Sequence, residues 1–280
     1  MMKPTIKTAF AAVLTAGAVA ALAFTSAPAQ AAGAAAKPAV QDWSFKGLFG
    51  TYDRASVQRG YKVYKDVCAA CHSLKLIKFR NLQDIGYSEA QVKALAAEYE
   101  IQDGPNDEGE MFTRKRTPSD PMPSPFANDK AAAAANNGKA PPDLSLITKA
   151  RAQGGDSVIK VSMKHPGGFT LGADYVYALM TGYGEPPAGF ELPDGGSYNK
   201  YFPGGVIAMA NPLAADAVEF SDGTKATVAQ MAYDVTMFLS WAAEPELEAR
   251  KRLGIKVMLF LLVLTGMLFA LKRKIWSDIH

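Results

Sequence analysis

The stretch that most constrains the fold of this chain is Cys68-Ala69-Ala70-Cys71-His72. Two cysteines separated by two residues and followed at once by a histidine form the pattern by which c-type haem is attached to a protein. On one helical turn the two sulfurs share a face, so each can bond one vinyl group of the same porphyrin, and His72 can ligate the iron. The chain is therefore predicted to fold around one covalent haem c.

A zinc site or a thiol-redox pair could use the same two cysteines. A structural zinc site, however, takes four cysteine or histidine ligands. The 280 residues contain no further cysteine, and the other histidines are His165 and His280. The composition therefore favours haem attachment over both alternatives.

Residues 1–31 have the pattern of a cleaved signal peptide. Two early lysines precede an apolar stretch from Ala9 to Phe24, and Ala29-Gln30-Ala31 supplies a small-x-small cleavage site. A first transmembrane helix is the alternative, but the apolar stretch is short and alanine-rich and no stop-transfer charges follow it. Export suits the haem motif, because c-type cytochromes mature outside the bacterial cytoplasm, and the mature chain is predicted to begin near Ala32.

A second apolar run lies near the C-terminus. From Leu253 to Leu271 only Lys256 interrupts 19 residues, which as a helix would span about 28 Å, close to the thickness of a bilayer's hydrocarbon core. Lys256 lies one turn inside and can extend its ammonium group outward. A buried core helix is the alternative, but charged residues bracket both ends and Trp276 lies at interfacial depth. The run predicts a single membrane anchor.

The orientation of this anchor follows from the signal peptide, because three basic residues flank the run on each side. We expect residues 32–249 to form a haem domain in the bacterial periplasm and residues 250–274 to cross the inner membrane. Residues 275–280 would then be a cytoplasmic tail.

Charge divides unevenly along the chain. Residues 32–249 contain 21 Lys and Arg against 26 Asp and Glu, a net charge of −5. An acidic domain argues against nucleic-acid binding and favours a basic protein partner. The clearest acidic run, which could be a solvated loop or a docking surface, comprises Glu98, Glu100, Asp103, Asp107, Glu108 and Glu110.

Helix signals dominate the exported part. Asp53 can cap a helix that leads into Cys68, and Ser88 with Gln91, like Thr227 with Gln230, forms a capping-box pattern. The proline-rich residues 104–125 and the glycine- and proline-rich residues 182–205 are predicted to be irregular loops. An early helix before the haem motif and a late aromatic-bearing helix resemble the crossed terminal helices of class I c-type cytochromes. The predicted fold is mostly α, a class I cytochrome c-like haem domain with long loops plus one C-terminal transmembrane helix.

The ligand on the other face of the iron decides between an electron carrier, with both axial sites filled, and an open site for gas or peroxide chemistry. The candidates outside the two apolar termini are His165, Met111, Met122, Met163, Met180, Met209, Met231 and Met237. Met209 lies in an apolar run after Gly204-Gly205 and before Pro212, where a loop could bring its sulfur over the ring. Met231 and Met237 have a structural explanation in the late helix. Spacing leaves Met209 as one candidate among several.

The chain resembles the cytochrome c1 family over nearly all of its mature length. The ordered blocks that carry the resemblance are Arg59-Gly60-Tyr61-Lys62-Val63-Tyr64 with Cys68 to Ser73, Ala96-Ala97-Glu98, Gln102-Asp103-Gly104-Pro105, Asn136-Asn137-Gly138, Pro141-Pro142-Asp143-Leu144-Ser145, Asp174-Tyr175-Val176-Tyr177, Thr181-Gly182-Tyr183, Glu185-Pro186-Pro187, Tyr201-Phe202-Pro203-Gly204, Ile207-Ala208-Met209 and Trp241-Ala242-Ala243-Glu244-Pro245-Glu246. The family often has Ala-Met-x-Pro-Pro, whereas here Asn211 precedes a single Pro212. This departure could alter the loop but leaves the sulfur in place.

The resemblance implies a site and a function. Met209 would be the sixth iron ligand opposite His72, and Arg151 would pair with a haem propionate. Asn136, Pro142 and Tyr175 would neighbour the haem pocket. The haem would carry electrons from the Rieske iron-sulfur protein to a c-type cytochrome, beside cytochrome b in the cytochrome bc1 complex of a respiratory or photosynthetic chain, with no independent catalytic site on this chain.

Two other classes of protein share part of this pattern. A haem c subunit of another membrane oxidoreductase would have the same motif, signal and anchor, and co-purification with cytochrome b would discriminate against it. A haem-based sensor or enzyme would need a vacant iron face, and ligand binding by the reduced protein would reveal it.

Overall fold

Helices carry most of the secondary structure of residues 35–151 and 171–277, the parts of the chain that the computed structural model describes. The α-helices are α1 (Arg54–Asp66), α2 (Glu89–Ala97), α3 (Asp129–Ala135), α4 (Ile147–Ala150), α5 (Leu171–Thr181), α6 (Val228–Ala243) and α7 (Leu247–Trp276), and two 3₁₀ helices span Cys68–Ala70 and Phe79–Ile85. Within these parts the strands form two short antiparallel pairs, β1 (Glu100–Asp103) with β2 (Phe112–Lys115) and β3 (Ser197–Tyr198) with β4 (Val206–Ile207). The predicted mostly α fold is confirmed.

Several sequence predictions concern residues outside the described parts of the chain. These are the signal peptide of residues 1–31 and the ligand candidates Met163 and His165. They stay predictions.

The core of the domain is the crossing of α1 and α6. Gly60 of α1 faces the backbone of α6 so closely that a Cβ atom at this position would lie 1.9 Å from the carbonyl oxygen of Asp234. Tyr61 and Tyr64 each place their ring 5.6 Å, centroid to centroid, from Phe238 on α6. The predicted crossing of the early and late helices is therefore confirmed, and its distance of closest approach depends on a residue without a side chain.

A buried ion pair ties the same two helices together. Arg59 of α1 donates through Nε to Oδ2 of Asp234 at 2.8 Å, and the Asp234 side chain is completely buried. Arg59 also donates to Asp222 at 2.8 Å. A buried carboxylate needs such partners because its transfer from water is costly. The pair therefore constrains the rotation of α1 against α6 about their contact.

Helix caps largely follow the predictions. Asp53 accepts a hydrogen bond from the backbone N–H of Ala55, and Ser88 and Gln91 form a complete capping box. At α6 only half of the predicted box forms. Thr227 accepts from the backbone of Gln230, but the Gln230 side chain donates to Asp234 at 2.9 Å instead of turning back to the cap. Water can satisfy the exposed N-terminus of α6, whereas the buried Asp234 carboxylate requires donors from the protein.

The prediction that residues 104–125 form only irregular loop is wrong in part. Strand β2 lies inside this range and pairs with β1, with Glu100 opposite Lys115 and Asp103 opposite Phe112. Because the prolines flank β2 and do not interrupt it, the four residues of the strand retain their backbone donors. Strand β3 likewise lies within residues 182–205.

The acidic run lies along this β1–β2 hairpin and the segment before it. Glu98 pairs with Lys65 at 2.5 Å and Asp103 with Arg114 at 2.5 Å. Asp107, Glu108 and Glu110 lie exposed at the hairpin turn. The run thus combines structural ion pairs with a solvated acidic tip.

Helix α7 extends for 30 residues from Leu247, about 45 Å at 1.5 Å per residue. By length and composition it could cross a membrane. None of its most apolar window is buried, which contradicts the alternative of a core helix. A break at Glu244-Pro245-Glu246 separates it from α6, so the haem domain and the anchor helix are joined by a short turn.

Candidate functional site

The haem-attachment motif follows α1 directly. Helix α1 ends at Asp66, and the chain tightens into the 3₁₀ turn Cys68–Ala70. The backbone N–H groups of Cys71 and His72 both donate to the carbonyl oxygen of Cys68, at 3.1 and 2.9 Å. Cys68 is half-buried, Cys71 is exposed, and neither forms a disulfide. The turn presents both thiols and the imidazole within five residues.

His72 is oriented by a hydrogen bond across the site. Its Nδ1 lies 2.8 Å from the carbonyl oxygen of Pro142. Since a carbonyl oxygen only accepts, Nδ1 carries the proton and the lone pair is on Nε2, as a metal ligand requires. Burial lowers the pKa of His72 and so favours the neutral ring. The residue predicted as a pocket neighbour, Pro142, thus sets the tautomer of the predicted ligand.

The loop that carries Pro142 is held against the motif by Asp143 and Ser145. Asp143 Oδ2 accepts from the Ser73 hydroxyl at 2.7 Å and from the Lys75 backbone N–H at 2.9 Å. The Ser145 hydroxyl accepts from the Leu76 backbone N–H at 3.1 Å. Burial alone would raise the pKa of Asp143, but hydrogen bonds from Ser145, Lys75 and Ser73 lower it below the usual value. Sequence reasoning did not single out Asp143, although it lies within the Pro141–Ser145 block.

We predict that Asp143→Asn destabilises the holo-protein by about 1–3 kcal/mol at neutral pH, because one acceptor oxygen is replaced by a donor that faces other donors. The pKa of Asp143 is lowered in the folded protein, so its stabilisation is complete above the unfolded-state pKa of about 4 and is lost as the pH falls below it. Urea unfolding of detergent-solubilised protein, followed by far-ultraviolet circular dichroism, measures the difference.

The matched control is Asp107→Asn on the exposed hairpin turn, which should leave stability unchanged. The gap between wild type and Asp143→Asn should narrow on acidification. A gap of equal size at neutral and acid pH would contradict the role of the ionised carboxylate.

Met209 follows β4 by two residues and is half-buried. Its carbonyl oxygen accepts a hydrogen bond from the Tyr183 hydroxyl at 3.1 Å. Asn199, which follows β3 and is fully buried, donates to the Leu179 carbonyl at 2.7 Å and thereby joins the β3–β4 loop to α5. These two hydrogen bonds restrain the backbone of the loop that carries Met209. The Met209 side chain itself is not part of the hydrophobic core.

The other described methionine candidates have other environments. Met231 and Met237 are fully buried on α6, and Met122 is buried in the same core. Met180 packs against the core from α5, and Met111 is 58% exposed on the hairpin. Among the described candidates, Met209 is the one that combines a half-buried thioether with a fixed loop.

Arg151 and Tyr175 lie near each other. Arg151 follows α4, and Tyr175 is buried on α5. Burial raises the pKa of the Tyr175 phenol while the charge of Arg151 opposes that rise. Burial is the main cause of the raised pKa of Tyr183, and the Tyr175 phenol adds to the rise. Helix α4 packs against α5, and Tyr183, two residues after α5, contacts the Met209 backbone.

Asn136 is less closely tied to the other predicted residues. Its amide donates to the Ala132 carbonyl at 2.7 Å and ends α3. Within residues 35–151 and 171–277, none of its hydrogen bonds reaches the haem motif or the Met209 loop. Its predicted place beside the haem stays a prediction.

The donor set fits a haem c better than zinc. Two cysteines that form no disulfide lie on one turn and are followed by an imidazole whose tautomer is set by a hydrogen bond, and a half-buried thioether lies on a separate loop. Across the described ranges, no group of three or more His, Cys, Asp and Glu side chains could hold a metal ion. A four-ligand zinc site therefore lacks its other ligands in this part of the chain.

Comparisons with known proteins agree with this chemistry. Residues 43–279 match the model of the Cytochrome C1 family. A cytochrome c1 of Rhodospirillum rubrum is 51% identical over 85% of this chain and 87% of its own length. A mitochondrial cytochrome c1 heme protein of Arabidopsis thaliana is 50% identical over 84% of this chain and 71% of its own.

A third relative, cytochrome b/c1 of Bradyrhizobium diazoefficiens, is 52% identical over 87% of this chain, which spans 36% of that protein's length. The family match begins before the two-cysteine turn and includes the Pro142 and Met209 loops and helix α7. Members of this family carry a single covalent haem c. With a haem-attachment turn, an oriented imidazole and a matching length of 237 residues, the chain belongs to the cytochrome c1 family.

Proposed function

We propose that this chain is the membrane-anchored haem subunit of a cytochrome bc1 complex and transfers single electrons from a high-potential donor to a c-type cytochrome. The observation that carries the proposal is the hydrogen bond of His72 Nδ1 to the Pro142 carbonyl, found in a chain of the cytochrome c1 family. An imidazole held in this tautomer would keep its Nε2 lone pair available to the haem iron. The alternatives, another oxidoreductase subunit or an open-site sensor, are not favoured by the family match.

Haem c, when bound, supplies a one-electron iron couple whose potential depends on its axial ligands and surroundings. Cys68 and Cys71 would hold the porphyrin edge, and His72 and Met209 would ligate the iron. The Pro142 carbonyl keeps the His72 ring oriented and strengthens its donor character. The Tyr183 hydroxyl holds the Met209 backbone, so the thioether side of the site is positioned by a loop restrained at two points.

The remaining predicted residues would shape the rest of the site. The Arg151 guanidinium would offset the charge of one propionate, a pairing for which its forked geometry is suited. Tyr175, buried beside Arg151, would exclude water from that edge. Asn136 would close the pocket from the side of α3. With both axial positions filled by His72 and Met209, the site would favour outer-sphere electron transfer over substrate binding.

The electron partners follow from membership of the complex. Cytochrome b would flank α7 in the membrane, and the Rieske iron-sulfur protein would deliver the electron on the domain side. The acceptor would be a c-type cytochrome with a basic face, because residues 32–249 have a net charge of −5. The exposed acidic tip of the hairpin, Asp107 to Glu110, would contribute to its approach.

The proposed location is the inner membrane of a bacterium. The signal peptide would be removed after residue 31, and the haem domain, residues 32–249, would face the periplasm. Residues 250–274 would cross the bilayer within α7, and residues 275–280 would lie in the cytoplasm. This orientation puts the haem on the side where c-type cytochromes acquire their cofactor.

The test is purification of the tagged full chain from its native membrane in mild detergent. The preparation should contain a b-type cytochrome and an iron-sulfur protein, and added quinol should reduce the haem c in this complex but not in the separated chain. Reduction of a basic soluble cytochrome c should then slow as salt is raised, because screening weakens steering between opposite charges.

Two outcomes would argue against the proposal. Recovery of the chain with a terminal oxidase and without a b-type cytochrome would assign it to another membrane oxidoreductase. Rapid carbon monoxide binding by the reduced native protein would indicate an open iron face and a sensor or enzyme.

A further inference from the structure

The loop Lys46-Gly47-Leu48-Phe49-Gly50 presents two apolar side chains to solvent next to α7. Leu48 is 61% exposed and Phe49 is 79% exposed, the largest exposed fraction of any large apolar side chain in the described parts of the chain. The rest of this region is well packed, since Phe45 and Tyr52 on either side are buried. The exposure is therefore confined to the tip of the loop.

This loop is fixed to the start of the anchor helix. The Lys251 ammonium group donates to the carbonyl oxygens of Phe45 at 2.6 Å and Gly50 at 2.8 Å, so it holds both ends of the loop. Glu248 accepts from the Tyr52 backbone N–H at 2.9 Å. The position of Leu48 and Phe49 relative to α7 is thereby set by hydrogen bonds from two successive turns of the helix.

The loop tip lies at the level where α7 becomes apolar. Leu48 and Phe49 line a cleft of about 110 Å³ together with Arg252 and Ile255. The apolar exposed surface of α7 begins at Leu253, 62% exposed. Ile255 is three residues beyond Arg252, about 4.5 Å along the helix axis. The two apolar side chains therefore lie beside the first apolar turn of the anchor.

Cationic groups surround the domain side of the same loop. A neighbouring cavity of about 500 Å³ is lined by Lys46, Lys149, Arg250 and Lys251 against one carboxylate, Glu244. The side chains of Arg250 and Arg252 pair with Glu244 and Glu248 and remain 63% and 74% exposed. Along the axis of α7, the basic residues 250–252 are thus followed within about one helical turn by an apolar surface. This sequence of properties matches the phosphate and upper acyl layers of a bilayer.

We infer that residues 46–50 form a second membrane contact, in which Leu48 and Phe49 insert among the lipid acyl chains while Lys46, Arg250 and Arg252 contact phospholipid phosphates. The occupant of the loop's apolar surface is lipid and not a protein subunit, because the surface is limited to two side chains and continues that of α7. The contact would restrain the tilt of the haem domain on its anchor. It requires α7 to cross the bilayer and does not depend on the identity of the electron partners.

The test uses site-directed spin labels on the full holo-protein in nanodiscs of phosphatidylcholine and phosphatidylglycerol, without other subunits. Since Cys68 and Cys71 are expected to be bound as thioethers, an introduced cysteine is the only free thiol. One label is placed on the loop, at Phe49→Cys. A label at Leu262→Cys, in the middle of α7, is the lipid reference, and a label at Met111→Cys, on the hairpin, is the water reference.

The Phe49→Cys label should be accessible to oxygen and severalfold less accessible to an aqueous nickel chelate than the Met111→Cys label. Its values should lie between those of the two references, as expected for the upper acyl layer. Nickel accessibility equal to that of Met111→Cys would overturn the inference. Exclusion of both oxygen and nickel from the Phe49→Cys label would also overturn it, because protein and not lipid would then cover the loop tip.

Discussion

Replacing Met209 by leucine is expected to lower the midpoint potential of the haem by on the order of 0.1–0.3 V, since the thioether stabilises the reduced iron relative to the oxidised form. The ferric protein should lose the weak red charge-transfer band of sulfur on iron. The reduced variant should bind carbon monoxide, which the wild type should exclude. Redox titration and optical spectra of detergent-solubilised protein measure all three effects.

The structure offers a matched control for this change. Met111→Leu makes the same chemical substitution on the exposed hairpin and should leave the potential and spectra unaltered. Tyr183→Phe removes the donor to the Met209 carbonyl and should weaken the sulfur–iron bond without removing the ligand. A Met209→Leu protein with an unchanged potential and no carbon monoxide binding would show that another residue, such as Met163 or His165, ligates the iron.

Gly60→Ala is expected to destabilise the domain by more than about 3 kcal/mol, at the upper end of the cost of overpacking a core. The new methyl group would meet the Asp234 carbonyl oxygen at 1.9 Å and the Phe238 Cβ at 2.7 Å. Both are parts of the rigid body of α6, so neither can rotate away. The helices must separate, and the Arg59–Asp234 ion pair and the aromatic contacts at the crossing are then disturbed together.

Guanidinium unfolding followed in the far ultraviolet measures this loss. Gly254→Ala is the control, since Gly254 also lies in a helix but has no atom within 4 Å of the added methyl group. It should be neutral or slightly stabilising, because alanine has the higher helix propensity. A Gly60→Ala protein within about 1 kcal/mol of wild type would mean that the two helices do not approach each other as closely as the structure indicates.

Local signals in the sequence were sufficient for several elements. The cap at Asp53, the capping box of Ser88 and Gln91, and the long apolar run of α7 all depend on residues within four positions of each other or on composition. Such features form in the structure as predicted because the interactions that stabilise them are complete within one or two helical turns.

Features with distant partners could not be predicted in this way. Strand β2 was not predicted because its proline-free residues are few and a turn rich in glycine and acidic residues separates it from its partner β1. The Gln230 side chain leaves the cap because Asp234 is buried against Arg59, 175 positions away in the chain. The spacing of apolar residues along the chain does not indicate a contact between residues so far apart in sequence.

The sequence by itself determined the chemistry of this protein: the two thiols and imidazole of residues 68–72, the candidate thioether of Met209, and an apolar helix long enough for a bilayer. These depend on side-chain identity and close spacing. Only the tertiary structure decided which atom orients His72, because the Pro142 carbonyl arrives from 70 residues away. It likewise decided that Gly60 sets the distance between α1 and α6, and that Leu48 and Phe49 lie exposed beside the anchor. Those outcomes depend on which distant backbone segments approach each other, which residue spacing does not specify.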